Sequence, residues 1–493
     1  MAKATFKVMY NQDCTNLFGT IKEPLEPRHV EHMVDEVADG GADVMLINPN
    51  AQRVNYPSKV WQTFWDGYAP GKREFFGPVP EDQVPGREHW VGQMKRLADQ
   101  RCDYMKCALA RCRARGIHPG VTIRMNDMHD VPWPGSNLFS RFYMEHPQLR
   151  LKNPPIGGWS KEGLNYEHAE VREHYLSLIR ELVEDYDFDA LELDFLRFHC
   201  YFPRDDFERH CDIMTGFVRE VRAILGKAPR PIALIPRIAT NPAAAYELGF
   251  DVGTWARQDI VDGITTGAFL NTAWNIPIDA FRKVVGNEVA IYACTDSRAD
   301  IRDGLPARAL QLDERLLRGF AAGYLAAGAD GICFFNFFCS REETDPHDPL
   351  FHVIRDLRSR QSLRGKPRTH IITAGVSVAE ADGPMQVPAR VGAADTRAFQ
   401  MWLAAEKRDA RVEIDLVVEA SAAPSAQTLW LSLNTTTLGT AREIREGPPG
   451  SKRVQTATFA APATALRDGL NVLVFRNEGP PLTVLGVDVR VDP

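Results

Sequence analysis

The sequence predicts an α/β architecture: a (β/α)8 TIM-type barrel over residues 1–365, followed by a β-sandwich over residues 366–493. Three observations predict it. Eight short apolar segments recur along the first part of the chain, with helical stretches between them. Most of those segments end in polar or charged side chains, as strands do where a barrel carries its chemistry. Near Gly365-Lys-Pro-Arg368 the texture changes to short alternating runs punctuated by Gly, Pro and Asn, the pattern of a sandwich.

The elements follow in order. Phe6–Asp13 reads as a first strand ending in a carboxylate, and a helix over Pro27–Ala38 follows. Asp43–Asn50 is a second strand, polar only at its end. An aromatic insertion with Tyr56, Trp61, Trp65, Tyr68, Phe75 and Phe76 leads to one long helix, Glu88–Arg115. This insertion fits two readings, an apolar rim for a ligand or a loop sealed onto the barrel. His118–Ile123 is the third strand and breaks into Arg124, Asn126, Asp127, His129 and Asp130. A buried strand that turns abruptly into fixed charges points to a site rather than to packing. Asp189–Phe195, Ile232–Arg237, Gly263–Phe269, Val289–Asp296 and Gly331–Asn336 complete the eight, with helices such as His168–Tyr186, Phe207–Leu225, Ala307–Ala327 and Pro349–Leu357 between and after them. Val412–Val418, Thr428–Leu433 and Gly469–Arg476 are sandwich strands.

Composition narrows the function classes. Net charge is −7, which argues against nucleic acid as a partner, and no apolar run reaches membrane-spanning length. The nine cysteines show no disulfide framework, and the N-terminus lacks the apolar core of a signal peptide, so the reading is a cytoplasmic protein with reduced thiols. A homodimer is an open alternative to a monomer.

The strand ends supply the candidate chemistry: Asp13, Asn48, Arg124, Asn126, Asp127, Glu192, Asp194, Arg197, Arg237, Asp296 and Asn336. In the fourth strand Glu192 and Asp194 share one face and Leu191, Leu193 and Phe195 the other. The apolar face packs on helices, so both acids point into the barrel, where Arg124 and Arg197 are the expected partners. Two arginines on adjacent strand ends suit an anionic substrate, because the guanidinium fork matches a carboxylate or phosphate. No glycine-rich phosphate loop is present, which favours a carboxylate. Nothing predicts a metal or cofactor: His199, Cys200, His210 and Cys211 are ligand-type residues without ligand spacing.

Asp13, Arg124-Met-Asn-Asp-Met-His129, Leu193-Asp-Phe-Leu-Arg197 and Asn336 together resemble glycoside hydrolase family 156, inverting exo-α-sialidases with a barrel followed by a sandwich. The resemblance covers nearly the whole chain. It implies Asp13 as general base and His129 as general acid. Arg124 and Arg197 would grip the carboxylate of a terminal sialic acid on a glycan, with Asp127 and Asn336 supporting the site; Asp194, inward on the fourth strand, is counted with these substrate-binding residues. The residues alone also admit a two-carboxylate glycosidase built on Asp194 with Asp13 or Asp296.

Overall fold

The computed structural model describes residues 6–13, 16–152, 162–203, 206–268, 271–296, 298–301, 309–335, 337, 350–373, 385–447 and 453–493. Eight strand positions form the barrel: β1 (Val8–Gln12), β2 (Val44–Ile47), β3 (His118–Arg124), β4 (Ala190–Asp194), β5 (Ala233–Leu234, resuming as Arg237–Ile238), β6 (Gly263–Thr266), β7 (Ala290–Thr295) and β8 (Gly331–Phe334). Each pairs in parallel with the next, and β8 pairs with β1 to close the ring. β5 is split at Ile235-Pro236 because proline has no N–H to give the ladder.

The barrel interior is stratified, since alternate residues of each strand face inward. An apolar cluster at the lower end includes Met9, Val44, Ala190, Ala290 and Tyr292. Above it Asn11 Nδ2 donates to Glu192 Oε1 (2.6 Å) and to Thr122 Oγ1 (3.1 Å). β1 and β4 are not neighbours, so the Asn11–Glu192 bond crosses the inside of the barrel. Both acids of β4 thus face inward, and Asp13, Arg124, Asp194 and Arg237 form the next layer, at the mouth.

Several boundaries differ from the sequence reading. The stretch 88–115 is two helices, Val84–Asp99 and Tyr104–Arg115, broken where the Asp103 side chain accepts from Lys106 N (3.1 Å) and starts the second. An aspartate's capping bond competes with helix continuation. The helix expected from Ala307 is described from Glu314 to Ala327. Asp313 caps its start, accepting from Leu316 N (2.7 Å), and Gly328 ends it at φ +102°. Leu350–Arg358 is a 3-10 helix.

Beyond Arg368 the chain forms two antiparallel sheets. One holds Arg368–Ile372, Ala389–Val391, Arg411–Ala420, Glu443–Glu446, Val454–Pro462 and Leu482–Asp492. The other holds Asp395–Leu403, Leu429–Leu433, Thr436–Thr440 and Gly469–Asn477. They enclose their own apolar core around Phe399, Ile414, Leu416, Leu431, Phe475 and Val489. The sandwich lies directly on the Glu314–Ala327 helix. A Cβ on Gly319 would sit 2.0 Å from Thr369 O, and one on Gly323 2.5 Å from Trp402 O, so glycine is required for this approach.

The seven described cysteines are free thiols. Among the described residues no helix is long and apolar enough to cross a membrane.

Candidate active site at the barrel mouth

Asp13 follows β1 directly, and Arg124 ends β3. Their side chains meet across the mouth in an ion pair, with 10% and 6% of each exposed. Arg197 reaches the same Asp13 oxygen from the loop after β4, at 3.7 Å. Arg124 also pairs with Asp127 at 3.2 Å. Its backbone is held by a residue that the sequence reading passed over. Asn50 Nδ2 donates to Arg124 O (3.0 Å), and Arg124 N donates to Asn50 Oδ1 (3.2 Å). The signal available was Asn48-Pro-Asn50, a second amide just past the strand.

Two guanidiniums thus converge on one carboxylate. Burial, and next the neighbouring Arg124, lower the Arg197 guanidinium from its ordinary value; Asp13 and Asp127 offset part of this. An arginine stays charged over the accessible pH range, so this is strain on a cation, not loss of its proton. A second anion placed between the arginines would relieve their mutual repulsion.

Asp127 organises the other half. His129 Nδ1 lies 2.9 and 3.0 Å from the two Asp127 oxygens, and His129 N donates to Oδ1 at 3.1 Å. Burial alone would raise the Asp127 carboxyl, but His129 and then Arg124 outweigh it and hold the group well below the usual carboxylate range. The His129 side chain keeps 38% of its surface exposed, and its ring stands edge-on to Phe198 at 5.1 Å. With Nδ1 committed to Asp127, Nε2 is the nitrogen available to a ligand.

The expected partnership of Glu192 and Asp194 with Arg124 and Arg197 is corrected. Arg237 takes Asp194, through Nε at 2.9 Å, and is itself fully buried. The same Asp194 oxygen accepts Leu196 N (3.1 Å) and Arg197 N (3.0 Å), so Asp194 also holds the backbone at Arg197. Register explains this: Asp194 lies opposite Arg237 across β4 and β5. Both arginines face the Phe335 ring, Arg237 at 3.6 Å and Arg197 at 5.5 Å from its centre. Glu192 makes no ion pair among the described residues, and the nearby Arg237 charge offsets only part of its burial; Thr122 Oγ1 donates to it at 2.9 Å alongside Asn11, and Oε2 has no hydrogen-bond partner among the described residues. Burial, and next the Asp194 charge, push its carboxyl up to about 7.

The remaining candidates separate clearly. Asn336 lies outside the described residues. Asn126 is turned away from the mouth and ties loops together, donating to Leu164 O (3.0 Å) and Cys200 O (2.5 Å). Asp296 is buried at the end of β7, its backbone N donating to Thr272 Oγ1 at 3.1 Å. The aromatic insertion is sealed onto the barrel. Trp61 stacks on His174 at 4.1 Å, and Phe142 stacks on the same His174 at 3.9 Å. His210 stacks on Phe202. Among the described residues no three His, Cys, Asp or Glu side chains gather to hold a metal ion.

No protein-family model matches this sequence, nor does any curated protein. Solved structures with a similar course include α-L-fucosidase isoenzyme 2 from Paenibacillus thiaminolyticus (10% identity, TM-score 0.45, 72% of this chain and 49% of that one). Others are the glycoside hydrolase domain of PgaB from Bordetella bronchiseptica (12%, 0.44, 72% and 99%) and the endo-β-1,4-mannanase from Thermotoga petrophila (12%, 0.44, 99% and 98%). This chain therefore spans about half the length of the fucosidase. At such identities the likeness concerns general architecture and says nothing of substrate.

Proposed function

We propose that this protein is an exo-α-sialidase that hydrolyses terminal sialic acid from sialylated glycans with inversion. The observation that carries the reading is the convergence of Arg124 and Arg197 on Asp13 at the barrel mouth, with the Asp127–His129 pair alongside. A sialoside carries a carboxylate on its anomeric carbon. Placed between the arginines, that carboxylate competes with Asp13 for their donors, which frees Asp13 to accept a proton from water. Water then attacks the anomeric carbon on the face opposite the leaving oxygen. His129 Nε2–H protonates that oxygen, and Asp127 stabilises the imidazolium that must be present before transfer. A single displacement of this kind delivers the β-anomer from an α-sialoside.

The two-carboxylate alternative is less well supported. Asp194 would have to serve as acid or base, yet Arg237 and two backbone N–H groups occupy it. The deciding experiment is the release of 4-methylumbelliferone from its α-sialoside, β-glucoside and β-glucuronide. Turnover of the sialoside alone is expected. Cleavage of the glucoside or glucuronide in its place would overturn the assignment.

A further inference from the structure

Between the barrel and the sandwich runs a cleft of about 390 Å³, the size range of small-ligand sites, roughly 300–1,000 Å³. Trp274, Asn275 and Asp279, from the loop after β6 and the helix that follows, form one wall. Arg397, Gln400 and Trp402, from one sandwich strand, form the other. Trp274 and Asn275 also border a narrower space that continues to Thr272. Thr272 Oγ1 in turn bonds Thr295 Oγ1 (3.0 Å) and the Asp296 backbone at the end of β7. The inner end of this space therefore lies at the β7 edge of the barrel mouth, across the ring from β3 and its Arg124.

Its walls are fixed where it matters. Trp402 Nε1 donates to Ile276 O (3.0 Å), and Trp274 stands edge-on to Phe320 at 5.6 Å. Both indoles remain partly exposed, while Asp279, Arg397 and Gln400 are exposed. Two held aromatic faces, side-chain amides and one charge of each sign suit a particular chemistry. A polyanion would need an excess of cations, and for an apolar peptide the two exposed aliphatic side chains, Met385 and Leu470, are outnumbered by the polar ones of Asn241, Asn275, Asp279, Gln386, Arg397 and Gln400. A sugar chain offers C–H faces to the indoles and hydroxyl pairs to the amides, the guanidinium and the carboxylate.

We propose that this cleft binds the neutral sugars of a glycan, those that stand behind the terminal residue cleaved in the proposed reaction; in that respect it rests on the proposed function. The sandwich would then supply half of a substrate site. The test is saturation-transfer NMR with lacto-N-neotetraose, a neutral tetrasaccharide, on the intact protein, on Arg397→Ala/Gln400→Ala and on Asn275→Ala. The first variant alters only exposed side chains of a strand whose backbone stays clamped by Gln386, so folding is retained. The tetrasaccharide should bind the wild-type protein and Asp13→Ala alike, and should bind the double variant at least fivefold more weakly. No binding to the wild-type protein, or equal binding to natively folded variants at both walls, would overturn the proposal. The two readings fail separately. Tetrasaccharide binding through the cleft without any sialoside turnover would sink only the sialidase assignment. Sialoside turnover without tetrasaccharide binding would sink only the cleft.

Discussion

Relative to the parent, Glu192→Gln should gain stability as pH rises, although it changes a residue buried at the centre of the barrel. The Glu192 carboxyl is pushed from an ordinary 4.5 up to about 7 by burial and the Asp194 charge. Between those values the folded state keeps a proton that the unfolded chain has lost, so stability falls as pH rises through that window. A difference of about 2.5 units at ~1.36 kcal/mol each is about 3 kcal/mol, lost progressively up to pH 7. Glutamine does not titrate. Its oxygen can still accept from Asn11 and Thr122, while its amide nitrogen inherits the position of Oε2, which has no partner among the described residues. That unsatisfied group costs about 1–3 kcal/mol, but at every pH, so it cancels from the comparison. Urea denaturation of both proteins at pH 4.5 and pH 8 measures the effect. The stability of the variant minus that of the parent should rise by about 3 kcal/mol across the interval. A gap that moves by less than about 0.5 kcal/mol would mean that Glu192 is ionised in the fold and that a cation, most simply Arg237, compensates it.

Three further outcomes follow from the site and the proposed reaction. Arg124→Ala and Arg197→Ala should each remove a charge-assisted contact of about 1.5–3 kcal/mol, roughly 10–150-fold in kcat/KM on sialyllactose; a loss under about threefold in a folded variant would show the arginines to be structural. Asp127 is held below the usual carboxylate range, so it contributes stability above about pH 4 that is lost as pH falls through its folded value. A melting-temperature series from pH 2.5 to 6 should accordingly be flatter for Asp127→Asn than for the parent. His129→Ala should lose most of a roughly 10²–10⁴-fold acid contribution on sialyllactose and much less on an aryl sialoside, whose phenolate leaves unaided. Asp13→Ala should impair both substrates equally, and the reverse pattern, read from kcat/KM on the two substrates, would exchange the roles.

Much of this was readable in the chain because alternation and chemistry coincide. The polar ends of β1, β3 and β4 announced the mouth, and the two faces of β4 announced which way Glu192 and Asp194 point. What stayed hidden depends on closure. Arg237 was visible as a strand end, but its pairing with Asp194 follows from the register between β4 and β5, which periodicity does not encode. The Asn11–Glu192 bond spans non-adjacent strands and exists only once the ring closes. The aromatic insertion fitted two readings equally, because Trp61 and Trp65, four residues apart, form the same face whether it meets a ligand or the barrel, where Trp61 meets His174. The break at residues 100–103 was masked by the apolar rhythm continuing through it, with Asp103 as the clue.

The glycine pair on the Glu314–Ala327 helix has a bearing on how this protein can be taken apart. That helix connects the β7 and β8 region of the barrel, and its Gly319 and Gly323 are pressed against the backbone of Thr369 and Trp402. Deleting everything after residue 365 would strip cover from a helix on which Leu316, Phe320 and Tyr324 are buried in the barrel core. It would also remove the Trp402 indole from Ile276. The C-terminal part is therefore not an accessory that can be cut off or exchanged between barrels. A truncated chain should aggregate rather than persist as an isolated barrel, and any swap of the sandwich must carry the helix with it.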